Sequence, residues 1–184
     1  VALAWSWGPG SVSFNIKRST TSGSGYVTIA SIAAPQSNVF ATYVENTAAN
    51  FTTYYYVISA VNAGGESGNS NEAGGMPLPP PSAPVSLAAT PENESVLLTW
   101  TVADQLAASF TVLRATTPGG PYAVVEEMAN IGAPVTGSTL TFEDTGVGLE
   151  NPDGSFGLQN GSTYYYVVTA TDIGGTSPNS NEVF

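Results

Sequence analysis

Two pairs of adjacent carboxylates are the residues of this 184-residue chain that could perform acid–base chemistry. They are Glu126-Glu127 and Glu143-Asp144, and hydrolysis of a glycosidic bond requires two carboxyl groups that flank one substrate. Neighbouring side chains of a β-strand point to opposite faces, so neither pair can converge on one substrate. We predict that both pairs are solvated surface charge and that the chain has no catalytic residue.

Composition restricts the remaining catalytic and metal-binding chemistry. The chain contains neither Cys nor His, which excludes disulfides, Cys–His zinc sites and nucleophiles activated by His. Glu150, Asn151 and Asp153 could offer oxygen ligands to Ca²⁺, but they lack the alternating acids of a dedicated loop and equally suit a tight turn. We predict that the protein is not an enzyme and binds neither a metal nor a cofactor.

The net charge restricts the partners. The chain has 3 basic and 14 acidic residues, which gives a formal net charge of −11. A surface this acidic repels the phosphates of nucleic acids and the anionic face of a membrane. No stretch approaches the roughly 20 consecutive apolar residues that a transmembrane helix requires. We therefore predict neither nucleic-acid binding nor membrane insertion.

Several surface residues could carry or contact carbohydrate. Three Asn-X-Ser/Thr triplets fall in predicted loops, where a glycan would fit. Their asparagines are Asn50, Asn93 and Asn160. Trp7, Tyr55 and Tyr165 are candidates for exposed aromatic rings, which would stack on a sugar or contact another subunit. The alternative for all six is ordinary β-sheet surface and turn composition.

The elements that hold these residues come in two copies. Segment 54–72 matches segment 164–182 at 12 of 19 positions, and each segment begins with three tyrosines. Proline-rich segment 77–83 separates the copies and favours the extended backbone of a semi-rigid spacer. We predict domains at 1–76 and 84–184, joined by a linker at 77–83.

Both copies have the periodicity of β-strands. Apolar residues recur at every second position, as at Val96, Leu98 and Trp100, and clusters of Gly, Pro, Asn and Ser separate the runs. Turn signals about 8–12 residues apart are typical of an antiparallel β-sandwich. We predict an all-β fold of two sandwiches with negligible helix, in which Trp5 and Trp100 are buried at equivalent positions.

The second copy resembles a bacterial fibronectin type III domain. Segments 84–90, 95–100, 110–114 and 163–170 are similar to its strands A, B, C and F, and Tyr164 is similar to the tyrosine at the corner of strand F. The duplication extends the resemblance to both copies. It implies a seven-stranded Greek-key sandwich that usually serves as a spacer, adhesive or interaction module.

The first copy lacks the counterpart of strand A. Strand A lies within the 16 residues that precede Trp100, whereas four residues precede Trp5. The strand that contains Val1, Leu3 and Trp5 should therefore have an unpaired edge, which is a template for another strand. We predict that a neighbouring copy, or a continuation beyond Phe184, supplies that strand and builds a head-to-tail fibre.

The second copy also contains an insertion. Alignment of segment 45–47 with segment 143–145 leaves 12 extra residues within 146–161, where Asp153-Gly154 is a signal for a tight turn. Hydrophobic residues flank this turn at Val147, Leu149, Phe156 and Leu158. We predict a small hairpin that projects from the sandwich and offers these side chains for interaction.

Two classes of function remain open. The first is a non-catalytic extracellular structural or adhesive protein, whose sandwiches form a surface fibre or filament. Low charge, the lack of Cys and the missing strand A favour it. The second is a spacer or accessory region of a secreted polysaccharide-degrading enzyme, which the family resemblance implies equally. Both place the chain outside the cell or on its surface, with copies of itself as the expected partner and carbohydrate as a further candidate.

Overall fold

Antiparallel β-strands build both halves of the chain in a computed structural model that describes residues 1–8, 10–35, 40–129, 135–151 and 154–184. The chain divides into unit 1, Val1–Leu78, and unit 2, Pro79–Phe184. The described residues contain no helix, and hence none that could span a membrane. The prediction of an all-β fold is therefore confirmed.

Unit 1 contains two sheets among its described residues. Its strands are β1 (Ala2–Trp5), β2 (Ser13–Ser19), β3 (Val27–Ala33), β4 (Ala41–Val44), β5 (Tyr54–Asn62), β6 (Gly65–Glu66) and β7 (Ala73–Gly75). One sheet pairs β1 with β4, and the other has the order β3-β2-β5-β6, with β7 also paired to β5. The alternation of β2 and β5 buries Phe14, Ile16 and Tyr56 between the sheets.

Unit 2 repeats this plan with an additional strand and, in place of β7, a single bridge between Tyr166 and Val183. Its strands are β8 (Val85–Glu92), β9 (Ser95–Thr101), β10 (Ser109–Ala115), β11 (Ala123–Ala129), β12 (Thr139–Asp144), β13 (Tyr165–Asp172) and β14 (Gly175–Thr176). The sheet orders are β12-β9-β8, in which β8 is the additional strand beside β9, and β11-β10-β13-β14. Leu98, Trp100, Phe110, Val112 and Tyr166 form the fully buried centre of its core.

Strand pairing makes the two units equivalent. Phe14 lies opposite Ala60 and Phe110 lies opposite Ala170, so β2 and β5 correspond to β10 and β13. Likewise, β1 and β4 correspond to β9 and β12. The units differ at one edge: β9 lies between β12 and β8, whereas β1 pairs with β4 alone among the described strands.

The same hydrogen bond to a tyrosine hydroxyl stands at the start of β5 in unit 1 and just before β13 in unit 2. The hydroxyl of Tyr54 accepts a hydrogen bond from the Ala49 amide at 3.2 Å. In unit 2 the Gln159 amide donates to the Tyr164 hydroxyl at 3.1 Å. In both units the two residues are five positions apart in the sequence. This contact therefore fixes the start of β5 and of β13 in the same way.

Asp144 is a buried structural carboxylate rather than solvated surface charge. It is 1% exposed, and its oxygens accept hydrogen bonds from Arg114 at 2.7 Å, the Tyr166 hydroxyl at 3.0 Å and the Gly146 amide at 2.8 Å. The prediction for this residue is wrong because the side chain that neutralises it lies 30 residues away in the sequence. Its neighbour Glu143 is exposed.

Glu45 takes the place of Asp144 in unit 1. Glu45 is buried, accepts hydrogen bonds from the amide and hydroxyl of Thr47, and lies 3.5 Å from Arg18. This equivalence corrects the sequence alignment by one residue, since it matches Glu45 with Asp144 rather than with Glu143. Burial acts to raise the pKa of Glu45, but the Thr47 bonds and the Arg18 charge outweigh it and lower that pKa.

The insertion pairs Glu150 with Phe156 in an antiparallel bridge, as in the predicted hairpin, but part of it packs against unit 2 instead of projecting. Leu158 is 5% exposed and belongs to the core, and Leu149 packs against that core. These two residues are therefore removed from the predicted interaction surface, whereas Val147 and Phe156 are 89% and 72% exposed. The predicted turn residue Asp153 lies outside the described residues.

Candidate strand-binding groove

A groove of about 590 Å³ opens on unit 1 beside β1. One wall is β1 and the residues that follow it, the floor includes Phe14 and Tyr56, and the opposite wall is segment 67–73. This is the position, relative to β1, that β8 occupies relative to β9 in unit 2. The groove therefore lies on the side of β1 that corresponds to the β8 side of β9.

Some backbone N–H and C=O groups of β1 point away from β4, towards the groove. Val1 and Glu45 exchange two hydrogen bonds, of 3.0 and 2.8 Å. In an antiparallel ladder every second residue bonds to the same neighbour, so the residues between them direct their N–H and C=O groups to the other side. In β1 those residues are Ala2 and Ala4, which therefore present the unpaired groups.

The core beneath this edge is incompletely covered. Leu98 and Trp100 are fully buried in unit 2, where Leu87 of β8 is 4% exposed and closes the core above them. Their equivalents Leu3 and Trp5 remain partly exposed in unit 1. Trp5 and Trp100 thus lie at equivalent positions as predicted, but only Trp100 is fully buried, because no described strand of unit 1 takes the place of β8.

Aromatic side chains give the groove an apolar character. Trp7 packs edge-to-face against Phe14 with 5.2 Å between ring centres, and Phe40 is largely exposed at the rim. The other two aromatic candidates lie elsewhere and are half-buried: Tyr55 contacts Gly74, and Tyr165 packs near Phe184. Trp7 is therefore the aromatic candidate that the fold places in the groove.

Two serines, Ser67 and Ser70, hydrogen-bond segment 67–73, the second wall of the groove, to β5. Ser67 and Ser70 each donate a backbone N–H to β5 and accept a β5 N–H at the side-chain oxygen, with distances of 2.8–3.0 Å. Unit 2 repeats these bonds with Ser177 and Ser180 on β13. The repeated Ser-X-X-Ser spacing is thus a structural device, which the sequence showed only as identity between copies.

A carboxylate fastens the same wall to the β2–β3 turn. Glu72 accepts hydrogen bonds from the Tyr26 hydroxyl and, at 2.7 Å, from the Gly23 amide. The bond from Tyr26 is the main cause that lowers the pKa of Glu72, and it raises the pKa of Tyr26. Glu182 receives the same two bonds from Tyr122 and Gly119 in unit 2. We call these contacts the glutamate latches.

The remaining candidate residues lie away from the groove. Asn50, Asn93 and Asn160 are exposed, and Asn160 donates to the side chain of Asn93 at 3.1 Å. Glu126 and Glu127 are also exposed. Within the described parts of the chain, no three acidic side chains come together as metal ligands.

Comparison with known proteins identifies the fold. No family model matches the sequence, and no curated protein does. Among solved structures, the FN1–FN3 domains of chicken CNTN1 match with a TM-score of 0.64 and 13% identity, over 99% of this chain and 61% of that structure. Both units have the fibronectin type III-like fold. The chain thus spans about three fifths of the structure it matches over its whole length.

Two smaller structures also match. A fibronectin type III-like protein from Clostridium thermocellum shows 31% identity over 55% of this chain and 88% of its own, with a TM-score of 0.41. A myokine structure shows 21% identity over 56% of this chain and 93% of its own, with a TM-score of 0.38. In the terms of the fibronectin type III fold, β8 is strand A of the second domain, and the groove is the strand A position of the first.

Proposed function

We propose that this chain is a non-catalytic structural subunit of an extracellular fibre, and that a neighbouring subunit adds an extended strand to β1 of unit 1. The observation that carries the proposal is the difference between two equivalent edges: β9 lies between β12 and β8, while β1 pairs with β4 alone among the described strands and borders a groove. Strand addition to an exposed sheet edge is a general mode of association, in which backbone hydrogen bonds give affinity and side-chain pockets give specificity.

Strand β8 of unit 2 indicates which side chain and which backbone bonds an incoming strand would contribute. Strand β8 places Leu87 in the core and pairs its backbone with β9. An incoming strand of the same type would bury a Leu-sized side chain, which contributes about 1.5–3 kcal/mol, and would form several hydrogen bonds of about 0.5–1.5 kcal/mol each. These gains are comparable with the marginal stability of a small domain, roughly 5–15 kcal/mol.

The distribution of charge favours contact through unit 1. Residues 1–78 contain two basic and three acidic residues, a net charge of −1, and residues 79–184 contain one basic and eleven acidic residues, a net charge of −10. Like charge opposes association through unit 2, whereas unit 1 offers a nearly neutral surface. A contact between the edge of one subunit and a strand of the next does not close on itself, so it extends into a filament.

The experiment adds a synthetic peptide of residues 84–93 to the purified chain. Binding should protect the amide hydrogens of Ala2 and Ala4 from exchange and shift the emission of Trp5 and Trp7 to shorter wavelength. A peptide in which aspartate replaces Leu87 is the matched control and should not bind. Absence of protection with the native peptide would overturn the proposal.

Electron microscopy of the full-length protein tests the assembly. Filaments in which β1 is paired with a strand of another subunit are the expected result. A structure in which a preceding segment of the same polypeptide pairs with β1 would overturn assembly between subunits and would leave the spacer of a polysaccharide-degrading enzyme as the better interpretation.

A further inference from the structure

In unit 2, one asparagine side chain holds the backbone of strand β8. The Leu87 amide donates to Asn181 Oδ1 at 3.0 Å, and Asn181 Nδ2 donates to the Leu87 carbonyl at 2.9 Å. These two bonds join residues 94 positions apart. The amide group of Asn181 thus binds β8 as a neighbouring strand would.

The need for this contact follows from a bulge in β8. The pairing with β9 is irregular between Val85 and Ala88, and Ser86 has a φ of 54°. The bulge turns the Leu87 side chain into the core and takes its backbone out of the β9 ladder. Since an unpaired buried N–H or C=O costs about 1–3 kcal/mol, both groups require another partner, and a carboxamide provides an acceptor and a donor together.

Unit 1 holds an equivalent asparagine, Asn71, whose side chain contacts no strand through a hydrogen bond among the described residues. Asn71 lies between Ser70, which bonds to β5 as Ser180 bonds to β13, and Glu72, which forms the glutamate latch of unit 1. Asn71 lines the groove. Its side chain makes no hydrogen bond within the described parts of the chain, although the neighbouring contacts that position Asn181 in unit 2 are repeated around it.

We propose that Asn71 is the residue that binds the backbone of the strand entering the groove, at the position whose side chain enters the core. This inference rests on the proposed function, because it assumes that the groove accepts a strand. A slip of one residue would turn every side chain of the strand to the opposite face. Asn71 therefore sets the register of the incoming strand as well as adding to its affinity.

The first test joins the strand covalently to the chain. Residues 84–95 are placed directly before Val1, so that a copy of β8 and its turn leads into β1 as the original leads into β9. This fusion should raise the melting temperature of unit 1, and Asn71→Ala should remove a large part of the rise. In the unfused chain Asn71→Ala should leave the melting temperature unchanged, because the side chain has no partner there.

The second test measures binding in trans. The peptide of residues 84–93 should bind the Asn71→Ala chain about tenfold more weakly than the native chain, the effect expected from two lost backbone hydrogen bonds. Asn181→Ala is the matched control, since it removes the same bonds where the strand is already present. It should lower the melting temperature of unit 2 and leave the affinity of unit 1 for the peptide unchanged.

The outcomes separate this inference from the proposed function. An equal rise in melting temperature with and without Asn71 in the fused chain would overturn the role of Asn71 while strand acceptance stands. Peptide that fails to bind in trans, together with a fused chain that depends on Asn71, would overturn assembly between subunits and support the role of Asn71. A fused strand that leaves unit 1 no more stable would overturn both.

Discussion

The hydroxyl of Tyr166 donates a hydrogen bond to the Asp144 carboxylate inside unit 2, whereas the equivalent hydroxyl of Tyr56 in unit 1 is buried with no hydrogen-bond partner among the described residues. Burial is the main cause that raises the pKa of Tyr56, to about 12. The longer side chain of Glu45 stands where Asp144 would be, and it bonds to Thr47 instead. One repeated tyrosine therefore has two different energetic roles.

Removal of the two hydroxyls should have opposite consequences. Tyr166→Phe should destabilise unit 2 by about 1.5–3 kcal/mol, because it deletes a hydrogen bond to a charged group. Tyr56→Phe should leave unit 1 equally stable or more stable, since it removes a buried polar group that lacks a partner. Urea unfolding of the two variants measures the difference, and a larger loss in Tyr56→Phe would contradict the assignment.

Asp144→Ala should be among the most damaging substitutions in unit 2. Arg114 would keep its charge at a largely buried site without a partner, and breaking a buried ion pair in this way costs about 3–5 kcal/mol. Glu143→Gln is the control next to it in sequence, because Glu143 is exposed and its substitution should change stability by less than about 0.5 kcal/mol. Chemical denaturation monitored by Trp100 emission measures both, and equal effects would show that the pair acts as surface charge.

Ala4→Pro should block strand addition without unfolding unit 1. Proline has no N–H, and the Ala4 N–H points away from β4 towards the free edge, so the β1–β4 ladder stays intact while the edge loses a donor. Leu3→Pro removes an N–H that faces β4 and should destabilise unit 1 itself. Peptide binding and thermal unfolding distinguish the two variants. Undiminished peptide binding by Ala4→Pro would mean that the strand binds elsewhere.

Acid should weaken unit 1 over a defined range of pH. Glu66 accepts hydrogen bonds from Lys17 and Ser59, and these bonds lower its pKa to about 2. The pKa of Glu72 is also lowered. A carboxyl whose pKa is lower in the folded state stabilises the fold above its usual pKa near 4.5. That stabilisation is lost as the pH falls through the folded value.

The melting temperature of unit 1 should therefore fall between about pH 4.5 and pH 2. Glu66→Gln should flatten the lower part of this dependence, and high salt should weaken it because Glu66 and Lys17 are at the surface. Calorimetry across this range measures the effect. A Glu66→Gln variant with the same pH profile as the native chain would show that the Lys17 contact has no influence on stability.

Gly146→Ala should prevent the insertion from packing on unit 2. Gly146 has a φ of 72°, and a Cβ there would lie 2.3 Å from the backbone nitrogen of Leu158. Gly148 is the matched control: its φ is 76°, but no atom lies within 4 Å of an added Cβ, so Gly148→Ala meets only the backbone cost of about 1–2 kcal/mol. Gly146→Ala should be clearly less stable than Gly148→Ala in thermal unfolding.

Features that depend on local residue patterns or on the internal repeat could be predicted from the sequence. The two sandwiches, the tyrosine corner at Tyr164 and the unusual edge at Trp5 all follow from period-two alternation and from comparing one copy with the other. The burial of Trp5 was inferred from its correspondence with Trp100, although only four residues precede Trp5. The strand of Trp100 has a neighbour on each side, whereas the strand of Trp5 has one neighbour among the described strands.

Contacts between residues that are far apart in the sequence could not be predicted from the residue pattern. Asp144 looked like one half of an exposed pair because Arg114 and Tyr166 meet it only in the folded chain. Leu158 looked like an exposed hairpin residue because the insertion packs without strand periodicity. Asn71 and Asn181 were visible as identical residues, but their function depends on a bulge near Leu87 that no spacing rule predicts.

The glutamate latches have a mechanical consequence. A force that pulls the chain out of unit 1 at its carboxyl end meets the hydrogen bond from Phe51 to Pro77 first, then β7 and then the bonds of Glu72, before it reaches any residue of the core. Unit 2 repeats this order with Val183 and Glu182. We expect that acid, once the pH falls through the lowered pKa values of Glu72 and Glu182, reduces the force needed to peel the last strand of each domain, as single-molecule pulling over a series of pH values from 7 down to 2 would measure. Resistance to tension in this protein would then be set at the exit of each domain by one side chain.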